Sequence, residues 1–544
     1  MSFIYQKWLT SNKLTKKERQ ETQKLTPAER NVFFANESLH FGTAGVRGKM
    51  GLGTTRMNRF TYTNLAQAYA RYIVDEYGIN KTVIIGHDNR LHSTTFAKLV
   101  AKVLSAFKIN AVLFPNNHLI PTPIVSYAIR VTKAVGGIII TASHNPKTYN
   151  GFKAYHNDGS QVLPNVVKKI DKKLIKPADI LDITYQPQLG LISYLNKSII
   201  NRYFKDAQQV LIDNKKLQKK DKNFPVVLTA HHGTACKLLP KFLHTLGFNI
   251  KPVTAQMFYS PTFVNSPISN PEDINSFALA IKLAEKIGSL ICIGVDPDAD
   301  RMAICIKHQN KWRLISGNEM GIIYTYYVLK KRKFIKKPYV VSSYVSTNLI
   351  DCIIKKYGGK VYRTGTGFKW MGAKITEIGN KESFVVAFEE AIGALNTTIN
   401  RDKDSFTASA LALEIYAVYQ KQGMDFIDVL EKEIYPQYGQ WFGKTVAYNY
   451  DMLNWKPVIE QKMQMLKKYK NKTIGDLTIT SKYWNLKGDC LEWHLINGGW
   501  IKFRMSGTEP KFKIYYNLFG DTQSSLTNQY NKLNTIFQKM LMEK

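Results

Sequence analysis

Short apolar runs that end in polar, reactive loops recur along this chain, and they constrain its fold more than any other feature. Residues 136–140 hold three β-branched residues in a row, which is typical of a buried strand. The next segment, 141–146, contains Pro146 and cannot continue that strand, because proline lacks the backbone donor of a β-ladder. Ser143 is therefore predicted on a loop at the carboxyl end of a strand, where an open parallel sheet has its ligand crevice. An ordinary Ser/Asn turn is the alternative interpretation.

The same succession of strand, polar loop and helix returns several times, which predicts copies of one α/β design. Apolar runs at 82–86, 224–230 and 290–295 each lead into a polar loop, and helical patterns lie between them. Further strands are predicted at 339–342 and 382–388. Such alternation is typical of a mostly parallel sheet that is covered by helices.

The last hundred residues have a different pattern. Short aromatic strands at 490–494, 499–503 and 512–518 precede a terminal helix that starts at Gln523. The predicted fold class is α/β, with three similar mixed or parallel α/β domains plus a smaller α+β C-terminal domain. The predicted domain boundaries are residues 1–200, 201–311, 312–428 and 440–544.

The chain is strongly basic. Its 544 residues include 76 Lys and Arg against 41 Asp and Glu, a formal net charge of +35. Nucleic acid, an anionic membrane surface and an anionic substrate are all compatible with such a charge. The lysines are spread over the whole chain in short clusters without an RNA-binding signature, which favours a general lysine excess and no nucleic-acid partner. The positive field would still attract phosphorylated small molecules.

The sequence favours a cytoplasmic protein without a membrane partner. No apolar run approaches the roughly 20 residues of a membrane span, and the N-terminus lacks the pattern of a secretory signal. The five cysteines are scattered and never form Cys-x-x-Cys, which argues against a disulfide framework or a zinc cluster. They are interpreted as buried free thiols: Cys236, Cys292, Cys305, Cys352 and Cys490.

Three aspartates form a candidate metal site. Asp296, Asp298 and Asp300 alternate along a loop that directly follows an apolar run, so in an extended segment their carboxylates can project to one side. Three hard anionic oxygens suit Mg²⁺. A helix-loop-helix calcium loop is excluded, because its sixth position would be Arg301 instead of glycine and its twelfth Lys307 instead of glutamate. A solvated acidic turn remains the alternative.

The segment 504–511 offers a candidate phosphate grip between two predicted strands. An arginine, two hydroxyls, a glycine and a lysine stand close together there, and such groups bind phosphate by charge-assisted and backbone hydrogen bonds. The segment is not a Walker loop, which requires Gly-x-x-x-x-Gly-Lys-Ser/Thr before a helix. The predicted phosphate-binding residues are Arg504, Ser506, Gly507, Thr508 and Lys511.

Four loops occur in a fixed order over nearly the whole chain. In 42–48, three glycines bracket Arg47, which allows a ligand to approach the backbone closely while the guanidinium points at it. Together with 141–146, 296–301 and 506–511 this segment resembles the α-D-phosphohexomutase family of phosphoglucomutases, phosphomannomutases and related phosphopentomutases. The motifs are Gly-Thr-Ala-Gly-Val-Arg-Gly, Thr-Ala-Ser-His-Asn-Pro, Asp-Pro-Asp-Ala-Asp-Arg and Ser-Gly-Thr-Glu-Pro-Lys.

The resemblance implies four domains around a central cleft, each of which contributes one loop. It implies that Ser143 is phosphorylated in the resting enzyme and gives its phosphoryl group to a sugar phosphate. A bisphosphorylated sugar forms, turns around without leaving, and returns its other phosphate to Ser143; a sugar bisphosphate acts as activator. Asp296, Asp298 and Asp300 would hold one Mg²⁺ per subunit, with a phosphoserine oxygen as a further ligand.

The resemblance also assigns roles to residues around Ser143. Lys153 matches the candidate general base, and a lysine among other cations is expected to have a lowered pKa; a solvated lysine is the alternative. Arg47 and Arg301 would neutralise charge during phosphoryl transfer. His144 is expected to be a structural or phosphate contact, because neighbouring side chains at the end of a strand point apart.

The sugar-reading loops depart from the commonest family pattern. Many members carry Gly-Glu-x-Ser where segment 388–393 has Ala391 in place of the hydroxyl, and segment 364–370 lacks the histidine of some hexomutases. Both variants resemble the branch that includes phosphopentomutases and glucose-1,6-bisphosphate synthases. The substrate-binding residues expected on these two loops are Thr366, Gly367, Lys369, Glu389 and Glu390.

The expected activity is a phosphosugar mutase that interconverts the 1- and 6-phosphates of glucose or mannose. A phosphopentomutase, with transfer between O1 and O5 of ribose or deoxyribose, is the alternative. A phosphatase and a non-catalytic basic binding protein are two other classes, and the second predicts damaged loops, whereas the motifs here are intact. A serine hydrolase would require a Gly-x-Ser-x-Gly elbow, which Ser143 lacks.

Overall fold

The computed structural model describes residues 3–42, 45–115, 118–450, 455–485, 488–505 and 511–542. The strands in these ranges form four sheets that follow one another along the chain. Within the same ranges, none of the helices combines the length and the apolar character that a membrane span requires. The predicted class of α/β domains followed by a smaller C-terminal domain is confirmed.

The first sheet contains the strand that leads to Ser143. Its strands are β1 (Val46–Lys49), β2 (Thr82–His87), β3 (Asn110–Leu113), β4 (Gly136–Ile140), β5 (Tyr149–His156) and β6 (Ile192–Tyr194). They lie in the order β1-β5-β4-β2-β3-β6, with parallel pairing from β4 to β6 and antiparallel pairing of β5 with β4 and β1. The β-branched strand β4 is buried along its whole length, because both faces of a parallel sheet are covered.

Three helices precede the first sheet in the chain, and five more follow its first strand. They are α1 (Phe3–Thr10), α2 (Lys16–Gln23), α3 (Pro27–Phe33), α4 (Arg59–Tyr77), α5 (Ser93–Ala106), α6 (Thr122–Val131), α7 (Pro164–Asp171) and α8 (Ser198–Ala207). The helix α4 begins at a capping box in which the Asn58 side chain accepts from the backbone N–H groups of Phe60 and Thr61.

The second sheet carries the aspartate loop. Its strands are β7 (Pro225–Thr229), β8 (Asn249–Pro252), β9 (Ile291–Val295), β10 (Met302–His308) and β11 (Lys311–Ile315), and its helices are α9 (Ala235–Thr245) and α10 (Ala278–Ile287). The order is β11-β10-β9-β7-β8. Because β9 and β10 pair antiparallel, the residues between them form a hairpin loop at the end of the sheet.

The third sheet carries the predicted sugar-reading loops. Its elements are α11 (Gly317–Lys331), β12 (Pro338–Ser343), α12 (Leu349–Lys355), β13 (Lys360–Thr364), α13 (Phe368–Ile378), β14 (Ser383–Phe388), β15 (Ala394–Leu395), α14 (Ser405–Gln420), α15 (Phe426–Asp428), a π-helical turn (Val429–Ile434) and α16 (Tyr435–Tyr438). The strand order is β13-β12-β14-β15, with parallel pairing of β12 to both neighbours.

The fourth sheet is antiparallel throughout its described pairs. Its elements are β16 (Gln440–Asn449), α17 (Trp455–Lys467), β17 (Thr473–Ile474), β18 (Leu477–Trp484), β19 (Cys490–Leu495), β20 (Trp500–Met505), β21 (Lys511–Gly520) and α18 (Gln523–Met542). The order is β16-β21-β20-β19-β18-β17. The aromatic strands that the sequence predicts occupy the centre of this sheet.

One hydrophobic core connects the first three sheets. Its members come from all three, and the Tyr203 ring lies 5.4 Å from Tyr127 and 5.7 Å from Phe406, measured between centroids. The Tyr203 hydroxyl also donates to Asp404 Oδ1 at 2.8 Å. A close-packed interior of this kind is hard to compress, which favours a fixed relation between the loops at the ends of these sheets.

The fourth sheet has a core of its own, although Trp441 of β16 also belongs to the core of the first three sheets. Residues 344–348, the docking loop, contact the fourth sheet as well. Val345, just after β12, packs with Trp500 and Tyr515 of the fourth sheet in a small buried cluster. The neighbouring Tyr344 hydroxyl donates to Asp489 Oδ1 at 3.0 Å. Relative motion is the usual expectation for domains that are joined by limited contacts of this kind.

The cysteines correct one detail of the prediction. All five are free, and four are buried as expected, but Cys352 is exposed. The helix α12 turns Leu349, Ile350, Ile353 and Ile354 to the core. Cys352 therefore falls on the opposite face of that helix.

Candidate active site

The loop after β4 turns sharply at Ser143. This residue has a φ of 51°, a left-handed conformation that is uncommon for a residue with a side chain. Its backbone N–H donates to Thr141 Oγ1 at 2.9 Å. The Ser143 side chain lies in a buried position, with 1% of the residue exposed. The turn thus directs the Ser143 hydroxyl away from the first sheet and towards the second.

The partner of the Ser143 hydroxyl is Asp296, at the start of the β9–β10 hairpin loop. Ser143 Oγ donates to Asp296 Oδ2 at 2.7 Å, and this contact joins the first sheet to the second. Asp296 Oδ1 accepts from the backbone N–H of Arg301 at 3.0 Å. The backbone N–H of Thr122 donates to the carbonyl of Asp298 at 2.9 Å. The aspartate loop is therefore held by its own backbone and by the first domain.

The three aspartates meet, as their spacing predicts. One ligand oxygen each from Asp296, Asp298 and Asp300 lies within 4.8 Å of the others, and all three residues are buried. Burial and the two neighbouring carboxylates raise the pKa of Asp296 well above its usual range. Asp298 Oδ1 and Asp300 Oδ1 have no hydrogen-bond partner among the described residues. This donor set fits a metal cation, which would supply the positive charge that clustered carboxylates lack.

Lys153 occupies the edge of this carboxylate cluster. Its Nζ donates to Asp298 Oδ2 at 2.7 Å and to Asp300 Oδ2 at 3.2 Å, and the residue is 1% exposed. Burial alone would lower the pKa of Lys153, but the two carboxylates raise it above its usual value. The lowered pKa and the solvated alternative expected from the sequence are both wrong in this state, because Lys153 is buried and faces anions.

Lys403 is a second buried cation that sequence reasoning missed. Its Nζ lies 3.4 Å from Asp300 Oδ2 and 3.5 Å from Asp402 Oδ1. Burial would lower the pKa of Lys403, but these carboxylates raise it. The only signal in the sequence is a lysine between two aspartates ahead of a helix, a pattern that is common on protein surfaces. Its place in the site depends on the third domain, which brings it to the aspartate loop.

His144 lies closer to the nucleophile than the sequence indicates. Its Nδ1 is 3.3 Å from Ser143 Oγ. The expectation that these neighbouring side chains point apart is wrong, because it assumes extended backbone and Ser143 is left-handed. Burial and the guanidinium groups of Arg301 and Arg47 hold the pKa of His144 well below its usual value. The imidazole is therefore neutral near pH 7.

Arg47 and Arg301 flank the Ser143 loop from two domains. Arg47 Nη1 donates to Asn145 Oδ1 at 3.0 Å. Arg301 Nη1 lies 3.2 Å from Glu272 Oε2, and its Nε lies 3.9 Å from Asp300 Oδ1. Thr43 and Ala44, from the same motif as Arg47, lie outside the described residues. Both predicted arginines thus reach the surroundings of the nucleophile.

The two predicted sugar-reading loops touch each other. The backbone N–H of Gly367 donates to Glu389 Oε1 at 2.9 Å. Burial raises the pKa of Glu389, and the Lys403 ammonium opposes this. Glu390 Oε2 accepts from Ser343 Oγ at 3.0 Å. Thr366 is partly exposed and Lys369 is buried beside them. The two loops therefore form one wall. Lys403 lies between this wall and the aspartates, because its charge acts on both Glu389 and Asp300.

The predicted phosphate grip is described in part. Arg504, at the end of β20, lies with its Nε 3.7 Å from Asp489 Oδ2, at the contact between the third and fourth domains. Lys511 begins β21 and pairs with Asn449 in the sheet. Three further predicted residues, Ser506, Gly507 and Thr508, lie outside the described residues. The Arg504 guanidinium faces Tyr344 of the docking loop.

Family models cover most of this architecture. The model for phosphoglucomutase/phosphomannomutase alpha/beta/alpha domain I matches residues 38–179. The models for domain II and domain III of the same description match residues 201–310 and 316–435. Ser143, the three aspartates and Glu389 fall in the three matched segments, one segment for each loop.

Curated relatives extend the similarity over the full chain. A phosphomannomutase from Mycoplasmoides pirum is 44% identical over 540 residues, which is 99% of each chain. A phosphomannomutase from Mycoplasma pneumoniae is 36% identical over 98% of each chain. A phosphoglucomutase from Staphylococcus aureus is 32% identical and aligns with 88% of this chain and 89% of its own. These similarities give no support to the pentose alternative.

Solved structures share the fold. The open form of a Paramecium phosphoglucomutase, the phosphoprotein pp63/parafusin, superposes with a TM-score of 0.69 at 20% identity, over 93% of this chain and 96% of its own. A phosphoglucomutase/phosphomannomutase family protein from Burkholderia thailandensis gives a TM-score of 0.68 at 17% identity, over 92% and 97%. The four-domain arrangement is thus that of solved phosphosugar mutases.

Proposed function

This chain belongs to the α-D-phosphohexomutase family, and on that premise we propose that it interconverts the 1- and 6-phosphates of mannose or glucose through a phosphorylated Ser143. The contact that carries this proposal is the hydrogen bond from Ser143 Oγ to Asp296 Oδ2 at 2.7 Å. It places a buried hydroxyl against a cluster of carboxylates at the junction of two domains, where phosphoryl transfer can proceed without water.

The aspartate cluster is proposed to hold Mg²⁺. Asp296, Asp298 and Asp300 supply oxygen ligands, which Mg²⁺ prefers. When bound, the ion would neutralise charge on a transferring phosphoryl group. The chain itself contributes rigid placement, because the loop is fixed by the backbone of Arg301 and Thr122.

Cationic side chains are proposed to balance the remaining charge. Arg47, Arg301, Lys153 and Lys403 converge on the loop around Ser143 and Asp300. In transfer to the sugar, the bond from phosphorus to Ser143 Oγ breaks while a sugar hydroxyl oxygen bonds to phosphorus. Positive charge near the phosphoryl oxygens stabilises this transition state more than the ground state.

Lys153 is proposed to move the proton of the sugar hydroxyl. A mutase runs both half-reactions in one site, so the group that accepts the proton in one direction returns it in the other. Lys153 is held as an ammonium by Asp298 and Asp300. It is thus set to act as the acid in the return of phosphate to Ser143. The neutral His144 imidazole also lies beside the nucleophile, with its Nδ1 3.3 Å from Ser143 Oγ.

The sugar is proposed to lie against the wall formed by Glu389 and Gly367. The phosphate that does not exchange with Ser143 is proposed to be held by the fourth domain. Glu389 has one carboxylate oxygen fixed by Gly367 N–H, so the other can accept from ring hydroxyls. Arg504, Ser506, Gly507, Thr508 and Lys511 are proposed to grip the non-reacting phosphate. A sugar bisphosphate would serve as activator, because it phosphorylates Ser143.

A direct assay tests the proposal. Purified protein with Mg²⁺ and glucose 1,6-bisphosphate is incubated with mannose 1-phosphate, glucose 1-phosphate or ribose 1-phosphate, and kcat/KM is compared. We expect turnover of the two hexose phosphates, and a loss of roughly 10⁴-fold or more in the Ser143→Ala variant. The exposed Ser193 provides the control variant Ser193→Ala. Steady release of inorganic phosphate at the same rate would identify a phosphatase instead.

A further inference from the structure

The turn that follows β2 lies directly beside the nucleophile loop. Strands β2 and β4 pair in parallel, with His87 opposite Ile140, so both strands end at the same edge of the sheet. The residues after His87 are Asp88, Asn89 and Arg90, and all three are buried. Neither the proposed phosphoryl transfer nor the metal site assigns a task to them.

Arg90 binds the nucleophile loop by its backbone. Its Nη2 donates to the carbonyls of Ser143 at 2.6 Å and Asn145 at 2.5 Å. Its Nη1 donates to the carbonyls of Pro146 at 2.8 Å and Tyr149 at 3.1 Å. One guanidinium therefore spans the loop from the nucleophile to the start of β5. A lysine cannot reproduce this, because its ammonium is a point charge without the planar fork.

Asp88 forms an ion pair with this guanidinium. Arg90 Nε lies 3.2 Å from Asp88 Oδ2, and both side chains have no exposed surface. Asp88 Oδ1 accepts from the backbone N–H of Arg90 at 2.9 Å and from Ser93 Oγ at 2.7 Å. A buried ion pair is a poor means of gaining stability, because apolar residues of similar size often do as well. This buried ion pair therefore suits the positioning of the nucleophile loop better than a gain in stability.

The same turn is fastened to the domain that carries the aspartates. Asn89 Nδ2 donates to the carbonyls of His232 at 2.8 Å and Ser260 at 2.9 Å. The Arg90 guanidinium also lies over the Phe263 ring, 5.1 Å from its centroid. The His232, Ser260 and Phe263 segments belong to the second domain. Within this turn, Arg90 thus binds the nucleophile loop and Asn89 binds the second domain.

We infer that Arg90 is a positioning residue that sets Ser143 Oγ against the aspartate cluster, with Asn89 as the fastening of that turn to the second domain. Ser143 needs such support, because its left-handed backbone is not the conformation that a serine prefers. Phosphoryl transfer depends on alignment, and a displacement of about 1 Å can cost roughly 100-fold in rate. This inference rests on the proposed mutase function.

The test compares Arg90→Lys and Arg90→Met with matched variants of another arginine. Arg130 is the control, because it also donates to backbone carbonyls, that of Asp158 in its own domain at 2.7 Å and that of Ile399 across a domain junction at 3.1 Å. We expect Arg90→Lys to lower kcat by about 10- to 100-fold with KM changed less than about threefold. Arg90→Met should lose more than Arg90→Lys, whereas the two Arg130 variants should keep kcat within about threefold.

A single-turnover measurement separates positioning from stability. The ³²P-labelled enzyme is mixed with excess hexose 1-phosphate, and transfer of the label to the sugar is timed. The rate should fall in Arg90→Lys to the same extent as kcat, at a temperature where circular dichroism shows the variant folded. If an Arg90 variant does not fold, Asn89→Ala gives the same test, with an expected loss of about tenfold.

Two results would overturn the inference. One is an Arg90→Lys variant that transfers its phosphoryl group as fast as the wild type. The other is an equal loss of kcat in Arg130→Lys, which would indicate a general effect of loosened domains. Failure of the proposed function is distinct from both, because then the wild-type protein itself would show no hexose phosphate turnover.

Discussion

Lys153 Nζ donates to Asp298 Oδ2 at 2.7 Å, which pairs a lysine of the first domain with an aspartate of the second. Both side chains are 1% exposed. The ammonium balances part of the negative charge of the aspartate cluster in this state, and the contact bridges the domains that carry Ser143 and the aspartates. The charge balance of the cluster therefore depends on a lysine from the first domain as well as on the aspartates of the second.

Removal of Lys153 should make the fold dependent on a divalent cation. In Lys153→Met the buried carboxylate of Asp298 loses its cation, whereas Asp300 keeps Lys403 at 3.4 Å, and we expect a loss of about 3 kcal/mol in the free energy of unfolding in EDTA. Mg²⁺ should restore more stability to the variant than to the wild type. Denaturant titrations with and without Mg²⁺ measure both effects.

The control for this experiment is Lys169→Met. Lys169 pairs with Glu76 at 2.7 Å at the surface, where its side chain is 52% exposed. An exposed ion pair contributes about 1 kcal/mol at most, so this variant should unfold like the wild type with or without Mg²⁺. Equal stability of Lys153→Met and the wild type in EDTA would contradict the role of Lys153 in charge balance.

Glu389 should determine sugar binding through its charge. Glu389→Gln keeps an acceptor for Gly367 N–H but loses the carboxylate that would accept from ring hydroxyls, and a lost charged hydrogen bond amounts to about 1.5–3 kcal/mol. We expect kcat/KM for both hexose 1-phosphates to fall by about 10- to 100-fold. The exposed Glu377 provides the control variant Glu377→Gln, which should match the wild type. Unchanged kcat/KM in Glu389→Gln would place the sugar elsewhere.

The fourth domain should depend on its docking loop for closure. Val345 is 1% exposed between Trp500 and Tyr515, so Val345→Asp would bury a charge without a partner and separate the domains. We expect KM to rise by about tenfold or more, since the predicted phosphate grip lies on that domain. Small-angle X-ray scattering should show a larger radius of gyration. Thr445→Asp, at an exposed position of β16, is the control, and an equally compact Val345→Asp protein would contradict the prediction.

Glu433 should stabilise the helices of the third domain only above acidic pH. Its Oε2 accepts from Tyr326 at 2.8 Å, Lys330 at 2.7 Å and Tyr419 at 3.0 Å. Burial raises the pKa of Glu433, but these donors lower it below the usual 4.5 overall. A lowered carboxyl pKa stabilises the fold above the unfolded value, and this contribution is lost as the pH falls through the folded value.

The comparison of wild type with Glu433→Gln measures this contribution. At pH 7 the variant should be less stable by about 1 to 2 kcal/mol, because a charged acceptor is lost. The difference should shrink as the pH is lowered below about 4, where the wild-type carboxyl is protonated as well. Urea titrations across this range test the sign. A difference that grows towards acidic pH would contradict it.

The sequence predicts local features of the site well. The strand at 136–140 coincides with β4, Gly136–Ile140, and the spacing of Asp296, Asp298 and Asp300 correctly predicts that their oxygens converge. These features depend on residues that are close in the chain, where strand propensity and the two-residue period decide the outcome. The roles of the individual site residues stay predictions.

Contacts between domains could not be predicted in the same way. Lys403 and Arg90 lie in segments without a distinctive motif, and they reach Asp300 and Ser143 only because the packing of whole domains brings them there. The pKa of Lys153 was expected to be lowered by cations, but its nearest charged neighbours are carboxylates from the second domain. The sign and the size of a pKa shift depend on neighbours in three dimensions. Those of Lys153 are far from it in the sequence.

The most direct test of the account is the fate of a phosphoryl group on Ser143. The protein is labelled with ³²P-glucose 1,6-bisphosphate in Mg²⁺, digested, and the labelled peptide is identified by mass spectrometry before and after a chase with unlabelled mannose 1-phosphate. The account predicts one labelled site, Ser143, which loses its label to the sugar within a turnover. Label on another residue, or label on Ser143 that the sugar phosphate does not remove, would contradict it.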